Sequence, residues 1–424
     1  VTDTIACPAS GSADGRPVID INDGRLYDDP WATYAWLRAN APVYWDGANE
    51  LWVISRHADV ALISRSTELY CSKFGVRPKV AAPMSIISMD DPEHTRQRRL
   101  INKGFTPAQV KRMAPHIREL TNEIIDEIAD RGEIDFVEDF AIHVPLIVIA
   151  ELMGLDPEGR DNLYRWSDAM MGGDGHTDPD DPALHRAAEG FGEYVTHLIP
   201  LIEERRRQPR EDLISILTGA YDSGALDGGD AIAVQGEDEL TDDDLLMFLC
   251  ILVVAGNETT RNAISGGLLA FSNFPEQKAK LLEHPELIDL AVDEIVRFVS
   301  PVISFTRTVT ADHELHGQHL KEGDKVLILY QSANRDETVF DGPDEFRIDR
   351  DPNPHLGFGI GPHFCLGANL ARLEVKIVFE ELFTRLADIT VPAGTVPERG
   401  ANALVLAIEH LPAFFTPQPS SCPA

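Results

Sequence analysis

The sequence predicts a mainly helical chain with a minor, segregated antiparallel β portion, and three observations predict it. Apolar residues recur at helical spacing from Glu93 to Asn273, as at Ile117, Leu120, Ile124, Ile125 and Ile128. Short β-like runs are confined to the N- and C-terminal thirds. No linker divides the 424 residues, of which 43% are hydrophobic, enough for one large core. Residues 17–417 therefore read as one domain. It is flanked by a small, polar stretch, 1–16, and a Pro/Ser-rich one, 418–424, both expected to be flexible.

Residues 27–41 carry Trp31, Tyr34, Trp36 and Leu37 at helical spacing, and strand-like runs follow around Val43-Tyr44-Trp45 and Leu51-Trp52-Val53-Ile54. The helical stretch is broken by acidic, Gly-rich loops at 172–182 and 222–240. Thr241-Asp242-Asp243-Asp244 has the form of a helix start, a threonine cap followed by carboxylates in the first turn. The next helix is apolar on all sides from Leu245 to Val254, so it is expected to be buried all round. Into it falls Ala255-Gly256-Asn257-Glu258-Thr259-Thr260. A glycine, an acid and two threonines in a core helix lower its propensity and bury polar groups, a local violation of the kind that marks function. From Arg307 to Val326 the pattern is short and β-like, with turns at His316-Gly317 and Glu322-Gly323-Asp324. A helix from about Leu366 and a short β-rich end complete the chain.

Just before that last helix lies Phe358-Gly-Ile-Gly-Pro-His-Phe-Cys-Leu-Gly367. Cys365 there is expected to feel the positive end of the helix dipole and unpaired N–H groups, which favour thiolate. Gly361 and Gly367 are expected to let the backbone approach something flat, with Phe358 as an apolar wall. The alternative is a buried, inert cysteine in a turn.

Composition narrows the classes. A formal charge of −33 argues against nucleic acid or anionic membrane as a partner. The run from Leu245 to Val254 is too short to span a bilayer, and no basic cluster followed by an apolar run suggests a signal peptide or anchor. Five scattered cysteines, Cys7, Cys71, Cys250, Cys365 and Cys422, argue for a reducing compartment. A cytoplasmic monomer is expected.

The pattern Phe358-x-x-Gly361-x-x-x-Cys365-x-Gly367 resembles the haem-ligand signature of cytochrome P-450 monooxygenases, and the likeness covers roughly residues 25–415. It implies the cytochrome P-450 fold and haem b with Cys365 as axial thiolate ligand to iron, beside Phe358 and Gly367. Ala255–Thr260 resembles the family's Ala-Gly-x-(Asp/Glu)-Thr-Thr stretch over the distal haem face. The resemblance implies that the Thr259 hydroxyl meets iron-bound O2 and that Glu258 relays protons. His94, Arg98, Arg307 and His363 match positions that meet the haem propionates. Glu294-x-x-Arg297 with Arg350 matches a buried structural clamp, and His355 matches a family position whose role stays open.

The family likeness also implies a hydrophobic substrate, a sterol side chain, branched lipid or terpenoid. Pocket positions are expected at Phe74, Val76, Met84, Met170, Met171, Ala255, Val302, Ile303, Leu404 and Val405, all apolar. Electrons are expected from NAD(P)H through a ferredoxin reductase and a ferredoxin. The ferredoxin would dock on the basic stripes Arg96, Arg99, Lys103 and Arg372, Lys376. Rival readings are a peroxide-driven or C–C-cleaving haem-thiolate enzyme, a haem-binding sensor or carrier, and a zinc hydrolase using Cys365 and His363.

Overall fold

A computed structural model describes residues 19–21, 24–78, 85–172, 180–222, 242–399 and 404–418. Met84, Cys7, Cys422, the Thr241 cap and residues 1–16 lie outside the described residues.

Thirteen described α-helices dominate. They are α1 (Trp31–Asn40), α2 (His57–Arg65), α3 (Glu93–Ile101), α4 (Pro107–Ile128), α5 (His143–Met153), α6 (Pro157–Gly172) and α7 (Pro182–Arg207). After these come α8 (Leu213–Asp222), α9 (Asp242–Asn273), α10 (Pro275–Glu283), α11 (Ile288–Val299), α12 (Tyr330–Ala333) and α13 (Ala368–Arg385). The strands are β1 (Val43–Asp46), β2 (Leu51–Ile54), β3 (Tyr70–Cys71), β4 (Glu133–Asp135), β5 (Ser304–Val309) and β6 (His313–Leu315). They continue with β7 (Gln318–Leu320), β8 (Lys325–Leu329), β9 (Glu398–Arg399), β10 (Ile408–His410) and β11 (Pro412–Phe414).

Local chemistry sets the long helices. Thr106 caps α4 by a reciprocal box with Gln109, and Pro107, needing no N–H bond, takes the first helical position. α9 runs unbroken for 32 residues through the Ala255–Thr260 segment, buried along most of its length as its all-round apolar sequence predicts. α9 and α13 meet α4, α5 and α11 in one apolar core, with Phe271, Phe346, Phe379 and Phe383 packed edge to face.

The largest sheet has the order β1-β2-β8-β5-β3. Its β2–β8 pairing is parallel, whereas the sequence suggested antiparallel pairing alone. The parallel pair joins strands more than 250 residues apart, beyond the reach of any local turn signal. β4, inside the stretch read as helical, pairs with the C-terminal β11. A three-residue strand carries too little periodicity to be seen in sequence.

One buried ion cluster fixes the approach to the cysteine loop. Both Glu294 oxygens accept from Arg297, at 2.7 and 2.8 Å, and Oε2 also accepts from Arg350 Nε at 3.1 Å. The guanidiniums go on to the carbonyls of Asn334, Asp341, Gly342, Pro343 and Glu345. Glu294 and Arg297 are fully buried with every charge met, as a dry clamp requires.

Candidate active site

A cavity lies between α9 and the Gly357–Gly367 loop that leads into α13. The floor comes from Phe358, Cys365 and Gly367 and the roof from one face of α9, Phe248, Ile251, Leu252, Ala255 and Thr259. Those α9 positions fall at i, i+3, i+4, i+7 and i+11, one stripe of a helix.

Cys365 is the one described cysteine that lines the cavity; Cys71 and Cys250 stand elsewhere. The loop is held shut by the Cys365 N–H donating to Phe358 O at 2.8 Å. Burial pushes the Cys365 thiol up, against the Gly367 N–H and the Arg98 and Arg372 guanidiniums, which pull it down. The sequence suggested that the loop alone favours thiolate. Desolvation outweighs that, because the helix begins only at Ala368 and leaves Cys365 short of its first turn. A cation bound at the sulfur reverses the sense.

The two loop glycines have different reasons. Gly361 has φ +78°, and a Cβ there would lie 2.5 Å from the Ser64 carbonyl oxygen. It is required by the end of α2 and not by anything in the cavity, contrary to the sequence-based expectation. A Cβ on Gly367 would meet nothing within 4 Å, so here the backbone does offer an open cradle to a flat group.

Polar groups gather at one end. Arg98, Arg307 and His363 line the cavity. The Arg98 guanidinium donates to the Phe364 carbonyl, and Arg307 donates to its neighbour Thr306 O at 2.8 Å. Burial, with Arg307, His94 and Arg98 beside it, pulls the His363 imidazole down to about 2, so it is a neutral partner. His94 is not in the cavity wall. Its ring stands 4.3 Å from that of His363, centroid to centroid, with Nε2 buried and unpartnered. His355 Nδ1 accepts from Gly357 N at 3.1 Å and its Nε2 faces Asp293, a brace for the loop.

On α9, Thr259 Oγ1 donates to Ala255 O at 2.7 Å, one turn back, while Thr259 and Thr260 line the cavity. Glu258 is turned away. It is buried beside Arg261 and takes a 3.0 Å bond from Asn262 Nδ2. Burial raises its carboxyl above the usual range, offset in part by Arg261 and Asn262.

Of the expected substrate positions, Ala255 and Val302 line the cavity. Ile303, Leu404 and Val405 are buried just behind, Val405 bridging Val302. Phe74 is half exposed and Val76 is bonded into the sheet edge, both away from the cavity wall. Met170 meets Cys250, S to S at 3.4 Å, and Met171 is likewise outside the wall. Sequence reasoning missed Ile86, Ile87, Phe248, Ile251 and Phe305. The α9 pair was legible from its spacing to Ala255 and Thr259; the others come from a single 3-10 turn, Ser85–Ser88, and from β5, with no signal of their own.

An apolar slot with one thiol on its floor, an open glycine cradle, and two guanidiniums and an imidazole at one end fits haem, whose ring is apolar and whose two propionates are anionic. Among the described residues, the group that could hold a bare ion is Asp135, Glu138 and His410, which does not include Cys365. The zinc reading finds no ligand set at the cysteine.

Comparison with known proteins decides the family. The cytochrome P450 family model matches residues 179–411. A steroid C26-monooxygenase of Mycolicibacterium smegmatis is 37% identical over 406 residues, 95% of this chain and 97% of its own.

The chain belongs to the cytochrome P450 family.

Among solved structures, this cytochrome P450 resembles one from Mycobacterium marinum in complex with pseudoionone. The identity is 34% and the TM-score 0.83, over 95% of this chain and 100% of that one. It also resembles one from Bacillus megaterium in complex with testosterone, 30% identical with TM-score 0.78, over 91% and 99%. This cytochrome P450 is a haem monooxygenase acting on a hydrophobic substrate and drawing electrons from redox partners. No described helix is long and apolar enough to cross a membrane.

The two basic stripes differ. Arg99 and Lys103 are exposed, and Lys103, Lys111 and Arg112 border one shallow surface depression. Arg372 and Lys376 are instead paired with Asp293 and Asp289 of α11, each at 2.7 Å.

Proposed function

We propose that this cytochrome P450 hydroxylates the side chain of a sterol or related steroid, with Cys365 ligating haem iron. The observation that carries the reading is the α9 stripe of Phe248, Ile251, Leu252 and Ala255 directly across the cavity from Cys365. No charged side chain joins that stripe, so a substrate there is held by apolar burial, worth about 25 cal/mol per Å². The match to steroid C26-monooxygenases and the likeness to a testosterone complex support a steroid over other apolar molecules.

Bound haem supplies activation of O2 for insertion of one oxygen atom into a C–H bond. The chain's own residues do the rest. Arg98, Arg307 and His363 hold the propionates, with His94 packed behind His363. Phe358 and Gly367 receive the ring. Thr259 would offer its cavity-facing hydroxyl as a proton donor, and Glu258, beside Arg261 and Asn262, would hold a proton in reserve. Glu294, Arg297 and Arg350 keep the cysteine loop in place and take no part in chemistry. Electrons come from NAD(P)H through a ferredoxin reductase and a ferredoxin, in the cytoplasm, with docking on the exposed Arg99–Lys103 surface.

Spectral titration tests the reading. Steroids with an intact side chain should displace water from ferric iron and shift the Soret band at lower concentration than fatty acids or aromatics. Tighter binding of pseudoionone-like terpenoids would favour a terpenoid hydroxylase and overturn the steroid assignment.

A further inference from the structure

Behind the cavity floor, on the side away from α9, stand two opposite charges and the histidine that the sequence left without a role. The Arg372 guanidinium of α13 lies over the Phe358 ring, Cζ 4.5 Å from its centroid, a cation–π contact. Phe358 lines the cavity, whereas Arg372, Asp293 and His355 do not, so the ring separates these charges from it.

Asp293 of α11 fixes the guanidinium. Its Oδ1 accepts from Arg372 Nε at 2.7 Å and faces His355 Nε2 at 3.5 Å. His355 Nδ1 accepts from Gly357 N, so the neutral ring carries its proton on Nε2, toward Asp293. That ring also borders Phe358, centroid to centroid 5.8 Å. Burial would raise the Asp293 carboxyl, but the bonds from His355 and Arg372 hold it below its ordinary 3.8, so it is a carboxylate at neutral pH. Asp293 thus meets Phe358 through Arg372 and His355, on which it keeps hold from a separate helix.

The two charges act on the sulfur in opposite senses. Phe358 O accepts the Cys365 N–H at 2.8 Å, and the guanidinium over that same residue draws the sulfur toward thiolate. An electron added to iron adds negative charge, which a nearby cation favours and a nearby anion opposes. The Arg372 and Asp293 side chains are 35% and 33% exposed, so water screens both and the effect is modest.

We propose that Asp293 and Arg372 together set the reduction potential of the Cys365-ligated haem. Arg372, positioned behind Phe358 by Asp293 and His355, raises the potential, and the Asp293 charge limits the rise. One electron passes from the redox partner to ferric iron, with no bond made or broken. The inference rests on Cys365 as the ligand and not on the steroid reading.

The experiment is an anaerobic reductive titration of the full haem-loaded chain, followed at the Soret band. The carbon monoxide band is recorded first. Its absence at the thiolate position in the parent would overturn both the ligand assignment and this inference; its presence lets the potential be read alone. Arg372→Gln should shift the reduction equilibrium toward ferric iron on the order of tenfold, about 59 mV for a one-electron couple. Asp293→Asn keeps an oxygen for Arg372 but not the charge, and should shift it a few-fold the other way. Arg372→Lys keeps the charge and should stay nearer the parent than Arg372→Gln, and the Asn/Gln double variant should fall between the two single ones. Loosening of the loop would move both single variants in the same direction, and that outcome overturns the proposal. An unchanged potential in Arg372→Gln, or a Lys variant shifted as far as the Gln one, does the same. If Arg372→Gln fails to load haem, Asp293→Asn is read alone, and a potential that falls or stays put overturns the proposal.

Discussion

Cys365 opens onto the cavity, where desolvation favours the thiol and the Gly367 N–H, Arg98, Arg372 and a bound metal favour the thiolate. Cys365→His should therefore lose the red-shifted carbon monoxide band of a thiolate-ligated haem and lose monooxygenation, while far-UV circular dichroism stays unchanged. Thr259 lends its hydroxyl to Ala255 O and lines the cavity. Thr259→Ala should bind haem and substrate normally and release hydrogen peroxide in place of product. Glu258→Gln should slow turnover by on the order of 10²-fold, the lower end of what a positioned acid contributes. Glu258 was legible in the sequence because an acid in an apolar helix breaks local rules, whereas Cys365 and the arginines were legible through the family resemblance. Phe74 and Met170 were not separable from Ile86 and Phe305, since all are apolar and tertiary packing alone decides which face the cavity.

α9 and α11 show how far a periodic pattern carries. The all-round apolar sequence of α9 announced a central helix, and the Glu294–Arg297 spacing announced a pair on one face. That this pair is buried and completed by Arg350 needed the family resemblance, for spacing is the same in a solvated pair. Glu294→Gln leaves two buried guanidiniums short of a counter-charge, at a cost of about 3–5 kcal/mol. Thermal denaturation should register it as a clear fall in Tm. The basic stripes divide on the same ground: α13 spends its cations on α11, and α3 keeps Arg99 exposed. Arg99→Glu should slow ferredoxin-driven turnover most at low ionic strength, where screening is weakest, and leave substrate affinity alone. A matching reversal at Lys376 should do much less.

Over the whole molecule the helical body was readable and the sheet topology was not. β2 with β8, and β4 with β11, pair across gaps that no local pattern spans. The second of these joins carries a pH-sensitive tie. His410 is raised above its ordinary 6.5 chiefly by its bond to Asp135. Burial would raise Asp135, but His410 and the N–H groups of Leu411, Val137 and Glu138 hold it below its ordinary 3.8. The imidazole's contribution is complete below 6.5 and fades as pH rises through its raised value. The carboxylate's is complete above 3.8 and fades as pH falls through its lowered one. His410→Ala should thus lower Tm between those two values and have little effect in alkali. The drop should be small, because His410 is exposed and screened.

The Glu294 clamp grips the chain at Arg347 and Arg350, only fifteen residues ahead of Cys365. The long helices close their own hydrogen bonds within the core that α11 also joins, whereas the stretch from Arg350 to Cys365 is irregular. Heating should consequently dismantle the protein in a set order, with iron losing its sulfur before the helices lose their turns. Recorded side by side, the Soret band and the far-ultraviolet signal of the parent would part company on warming. The gap between the two curves would widen in any variant that loosens the clamp.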